Sequence, residues 1–193
     1  MSQIPSLPGA NVRAQSYFVA STRMRCPHCG LPTRLLALAL PPDHETLHEE
    51  DGHEEDRHEG AEGAEDTEGA EHAEDAEDGV EASPETWQRA GSNAFLFHVH
   101  HLPDRVRDRL NDLSRRFRPA HCAATLNTYW VNHCEHCGTP LGDHELHCEP
   151  GVFMPSSEAA AANIELVRIQ EPFAAVAAGY ASDPEFFAFM RKG

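Results

Sequence analysis

The sequence predicts an α+β fold, and three observations carry that prediction. Two Cys-x-x-Cys-Gly motifs, at 26–30 and 134–138, stand about a hundred residues apart, each between segments of strand composition. One amphipathic stretch at about 103–118 lies between them. A run of acidic residues at 43–83 breaks the chain without any apolar periodicity.

The 193 residues suit one domain carrying an extra segment. Residues 43–83 hold 19 Asp and Glu against one basic residue, Arg57, so the formal net charge of −17 belongs almost wholly to this stretch. The rest is close to neutral and is not an acidic globular surface. Such a segment cannot bury enough apolar area to offset its ordering entropy, and its charges repel one another. It reads as a disordered insertion. Residues 1–42 and 84–193 are then expected to form one domain around it, and a long flexible loop costs little to close. No basic region followed by an apolar run opens the chain and no long apolar window follows, so a cytoplasmic protein is expected.

Residues 1–15, with Pro5, Pro8 and Gly9, read as a loose arm, and 16–25 as a strand entering the first motif. Residues 32–40 (PTRLLALAL) leave that motif as a short apolar run ended by Pro41 and Pro42, which fits a buried strand better than a helix. Order is expected again near Trp87, with a strand at 94–100. In the helix expected at 103–118, Val106, Leu110, Leu113 and Phe117 form one stripe, with Pro103 at its start. Residues 125–133 and 141–148 read as strands on either side of the second motif. Toward the end, Ser156 or Ser157 can cap a short helix, 164–169 reads as a strand, and 183–185 opens a last short helix.

Six cysteines in a reducing compartment, four of them in paired spacing, point to metal rather than disulfides. A Cys-x-x-Cys turn sets two thiolates on one side of a tight loop, and the following Gly lets the chain leave at positive φ. Cys26, Cys29, Cys134 and Cys137 together make the four-sulfur set of a structural zinc ion, which refines the fold to zinc-ribbon-like β-hairpins with paired knuckles. Other arrangements stay open: an unmetallated or redox-active pair, two sites, or a mixed site using Cys122, Cys148, His121, His144 or His147. Cys122 and Cys148 read first as small buried residues. His28 and His136 are expected to face solvent, and His133 to sit in a strand beside the site. His98, His100 and His101 form a cluster in which His98 and His100 share a strand face. Tyr129 and Trp130 are expected in the packing.

The run 129–138 (YWVNHCEHCG), followed by Leu141-Gly142-Asp143 and by 146–151, is similar to a group of uncharacterised bacterial zinc-ribbon proteins. The first motif running into LALAL, the segment 102–106, and Glu171-Pro172-Phe173 with a Phe-rich end fit the same group. The resemblance leaves out 43–83. It implies zinc and a ribbon fold, and it implies no activity and no catalytic residue.

Four functions follow from these residues. The first is a protein-interaction or adaptor module held together by one structural zinc ion, with a protein partner. The second is nucleic-acid binding through Arg105, Arg107, Arg109, Arg115, Arg116 and Arg118, diluted by Asp104, Asp108 and Asp112. The third is metal buffering by the acidic stretch and its histidines, His44, His48, His53, His58 and His72. The fourth, a zinc enzyme, is disfavoured: two complete pairs leave no open position, and in 100–104 (HHLPD) the Glu of a deaminase motif is missing. No membrane partner is expected.

Overall fold

The computed structural model describes residues 4–48, 86–123, 125–147, 150–182 and 184–193. Of the acidic stretch, 43–48 is therefore described and 49–83 lies outside the described residues, as do Cys148 and Asp183. In chain order the elements are β1 (Val12–Ala14), β2 (Tyr17–Arg25), β3 (Pro32–Leu40), β4 (Glu45–His48), β5 (Thr86–Arg89), β6 (Ala94–His101), α1 (Asp104–Leu113), β7 (Phe117–Cys122) and β8 (Asn127–His133). They continue with β9 (Pro140–Leu141), α2 (Asp143–His147), α3 (Glu158–Ala161), β10 (Glu165–Ile169), β11 (Phe173–Ser182), a single 3-10 turn at Phe187–Phe189 and β12 (Arg191–Lys192). The fold is α+β and dominated by sheet.

The larger sheet runs β12-β10-β2-β3-β6-β11-β1-β4-β5, and a smaller one runs β7-β8-β9. Pairing in both is antiparallel except between β10 and β12. The apolar run of β3 explains the layering. Side chains alternate across a strand, and both faces of β3 are covered. Leu36, Leu38 and Leu40 join one core with Val106 and Leu110 of α1, Phe117 of β7 and Trp130 of β8. Leu35, Ala37 and Ala39 join a second core with Phe95, Leu146, Phe153, Phe187, Cys26 and Cys134. A strand covered on both sides needs no polar alternation, which is why its sequence reads as continuous apolar residues.

Several elements depart from expectation. The helix at 103–118 stops at Leu113, because Ser114 is extended and its hydroxyl accepts from the Arg116 N–H. Ser hydroxyls compete in this way with helical backbone bonds. Phe117 still reaches the core, but from the start of β7, while Leu113 is 39% exposed. The partner strand expected at 141–148 is only Pro140–Leu141, followed by the helical turn α2. Within that turn the His147 ring nitrogen Nδ1 bonds the Asp143 carbonyl at 2.9 Å, and Leu146 enters the second core. The loose arm contributes β1, and residues 45–48 of the acidic stretch pair with β1 and β5 as β4. The final helix is only the 3-10 turn. Ser157 caps α3 as expected, accepting from Ala160 N–H at 3.2 Å.

The two sheets are joined at a gap in the ladder. β6 pairs with β3 only at residues 38–40 of β3. Closer to the first motif, the second motif and the end of β8 supply the missing partners. The Asn132 side chain, 2% exposed with its residue, accepts from Leu36 N–H at 2.8 Å and donates to Leu36 C=O at 2.9 Å. The Glu135 carboxylate accepts from Arg34 N–H at 3.0 Å, and Glu135 N–H donates to the Thr33 hydroxyl at 3.0 Å. Asn132→Ala leaves a buried donor and acceptor unpaired, each costing about 1–3 kcal/mol. Denaturant unfolding is expected to show a loss of that size, with the mid-point lowered and the slope unchanged.

Candidate metal centre

Each motif folds into the same turn, built by the same bonds. In the first, Cys26 N–H donates to Leu31 C=O and Gly30 N–H donates to Cys26 C=O, both at 2.9 Å. In the second, Cys134 N–H donates to Thr139 C=O at 2.9 Å and Gly138 N–H to Cys134 C=O at 3.0 Å. Gly30 and Gly138 have φ of 71° and 74°, the left-handed region that a Cβ disfavours. The β2–β3 hairpin presents the first turn, and β8 with the short β9 presents the second.

The turns meet sulfur to sulfur. Cys26 Sγ lies 3.8 Å from Cys137 Sγ, and Cys29 Sγ lies 3.6 Å from Cys134 Sγ. All four sulfurs lie within 4.8 Å of one another. A tetrahedron of sulfurs about 2.3 Å from a central zinc has edges of about 3.8 Å, so the spacing fits four-sulfur coordination. In each turn the first cysteine is buried and the second exposed, so the cluster sits at the rim of the second core. No other group of three or more His, Cys, Asp or Glu is gathered this closely among the described residues. These four cysteines form a cluster able to hold a metal ion.

The thiols are tuned unequally. The Cys137 and His136 backbone N–H groups hold the Cys134 thiol down, to about 6, against burial. His136 N–H lies 3.4 Å from that sulfur. The Thr139 hydroxyl, 3.3 Å from Cys137 Sγ, and the Thr139 N–H hold the Cys137 thiol below its ordinary value. At Cys29 the Leu31 N–H pulls the thiol down, but burial and the sulfurs of Cys134, Cys26 and Cys137 push it up to about 11. Thiolates this close disfavour one another, and a central cation removes that penalty.

The remaining candidates are placed as follows. His28 is exposed, and His136 is exposed with Nε2 3.0 Å from Pro32 C=O. His133 is buried beside the turn, its Nδ1 3.1 Å from Arg116 C=O, and burial holds its pKa below the ordinary histidine value. Cys122 is half-buried at the end of β7, away from the four-sulfur cluster. His121 and His144 are exposed, and His147 is buried against Phe153, its ring centroid 5.3 Å away. His98 and His100 both approach Tyr129, at ring distances of 4.5 and 6.2 Å, while His101 is exposed. The His98 backbone takes a φ of 49°, and its N–H donates to the buried Asp143 carboxylate at 2.6 Å. Burial lowers the His98 pKa, and Asp143 opposes that shift. Sequence spacing did not reveal Asn132, Thr33 and Glu135, which tie the second turn to β3. They carry no motif, and only the unpaired edge of β3 marks them.

No protein-family model, curated protein or solved structure matches the chain, so the likeness to a ribbon group rests on the clustered Cys-x-x-Cys turns. No helix among the described residues is long and apolar enough to cross a membrane.

The left-handed glycines allow a test of the turn geometry. A Cβ at Gly30 meets no atom within 4 Å, so the cost of Gly30→Ala is conformational alone, about 1–2 kcal/mol. Stability measured by thermal unfolding is expected to fall by an amount of that order in Gly30→Ala.

Proposed function

We propose that this chain is a structural-zinc-binding protein in which one zinc ion, held by Cys26, Cys29, Cys134 and Cys137, clasps the two sheets, and that the clasped domain serves as a protein-interaction or adaptor module. The observation that carries the reading is the four-sulfur cluster, gathered from turns whose cysteines lie 105 and 111 residues apart. Two complete Cys-x-x-Cys pairs fill a tetrahedron, the pattern of structural sites, whereas catalytic zinc keeps a position for water or substrate. The zinc-ribbon arrangement is the finer form of the same proposal: the first turn sits on a long hairpin, and the second on β8 with a two-residue partner.

The other readings find less support. The arginines at 105–118 do not share one helix, since α1 ends at Leu113. Arg105 donates to Pro172 C=O, Arg107 pairs with Asp104, and Arg109 with Glu171 at 2.6 Å. Arg116 donates to Glu135 C=O at 3.2 Å, so four of the six guanidinium groups are engaged within the chain. Of the histidines read as a metal buffer, His44 is buried with its Nδ1 2.8 Å from Pro41 C=O, which removes it from that set.

Metal analysis by mass spectrometry of the purified protein is expected to find one zinc per chain. Cys134→Ser is expected to lose that zinc and several kcal/mol of stability, lowering thermal unfolding by on the order of 10 °C. Zinc-free protein that is fully folded would sink the proposal.

A further inference from the structure

The larger sheet carries an open groove of about 440 Å³ between β2, β3, β10 and β12, lined by none of the four clustered cysteines and by no residue of α1. Strand register builds it. Arg23 of β2 lies directly opposite Arg34 of β3, and Ser21 lies opposite Glu165 of β10, which in turn lies opposite Arg191 of β12. Directly paired residues share one face of a sheet, so three guanidinium groups and one carboxylate converge on one side. Like charges directly opposite in a sheet are destabilising. None of the three arginine side chains has a hydrogen-bond or ion-pair partner among the described residues.

Their basic neighbours differ. Lys192, next to Arg191, turns to the opposite face, with its ammonium 4.8 Å from the Phe187 ring. Arg168 of β10 lies 5.8 Å from the Phe18 ring and bonds the Ser16 hydroxyl at 3.1 Å. Those cations are accounted for by packing, and the groove arginines are not. The floor is also fixed: the buried Thr22 hydroxyl donates to Asn163 C=O at 3.1 Å, pinning the entry to β10 against β2. Arg34 is half-buried, and its backbone is held by Glu135.

We propose that this groove is a binding site for a small phosphorylated ligand of the diphosphate type. Guanidinium forks bind phosphate oxygens two at a time, so three of them suit a group carrying two or three negative charges. The volume is that of a small-molecule site. A long polyanion such as nucleic acid presents the same phosphate chemistry but fits less well. The groove is local and Glu165 stands inside it, so it offers no continuous basic track for an extended phosphate backbone.

The test is calorimetric titration of the zinc-loaded full chain with pyrophosphate, beside a single-stranded oligonucleotide, at low and moderate salt. One pyrophosphate per chain is expected, weakened at least tenfold in Arg23→Ala and in Arg191→Ala, with zinc content and thermal unfolding unchanged. Arg34→Lys keeps the charge but loses the fork, and is expected to weaken binding by a smaller factor. No pyrophosphate binding up to millimolar concentration, or binding unchanged in both alanine variants, overturns the site. Oligonucleotide binding that depends on the same arginines while pyrophosphate does not bind overturns the assignment to a small ligand. Zinc content is read separately, so failure here leaves the metal proposal standing, and loss of zinc leaves this one.

Discussion

The contact between the two Cys-x-x-Cys turns is the constraint on which the rest of the structure depends. It brings sulfurs that are 105 and 111 residues apart in the chain to within 4.8 Å of one another. Once they meet, β2–β3 and β8–β9 must lie side by side, and α1 and β7 between them are confined to the face over Leu36 and Leu38. Loop closure over such a span costs conformational entropy, which the apolar packing across it offsets and which ligation of a metal by the cluster would offset further. Both cores include residues from each side of that closure: Leu36 and Trp130 in one, Cys26 and Cys134 in the other. The cysteine cluster, hairpin register and apolar packing are therefore coupled rather than stacked as independent modules.

Around the cluster the backbone is satisfied by side chains where strands run out. The ladder between β3 and β6 is short, and Asn132 and Glu135 continue it as surrogate partners of β3, whose Thr33 hydroxyl accepts from Glu135 N–H. A buried backbone group without a partner costs more than a made bond returns. The polar residues next to the second motif thus have a structural reason to be there. They also fix how far the second turn sits along β3, and so which sulfur meets which.

The parts legible in the sequence were those with a local physical cause. Leu35 to Leu40, bounded by Pro41 and Pro42, fitted a short buried strand better than a helix, and it is one. Gly30 and Gly138 announced turns at positive φ, and the doubled spacing pointed to the four cysteines that the fold gathers into one cluster. The parts that were not legible depend on distant partners. β11, with its run of alanines, has helical propensity, yet it pairs with β1 through Phe173 and Ala175 and with β6 beyond Val176; tertiary context overrides propensity in such strands. The stripe 106–117 read as one helix because Phe117 keeps the spacing, although it arrives from β7. β4 sits at the front of an acidic stretch whose composition masks Thr46 and Leu47 pairing with Gln88 and Trp87.

The central claim is the coordination of one ion by four sulfurs, and zinc X-ray absorption on the purified protein tests it most directly. The account predicts four sulfur neighbours at about 2.3 Å and no nitrogen or oxygen ligand. A shell containing histidine nitrogen or water oxygen, or fewer than four sulfurs in a folded chain, would contradict it.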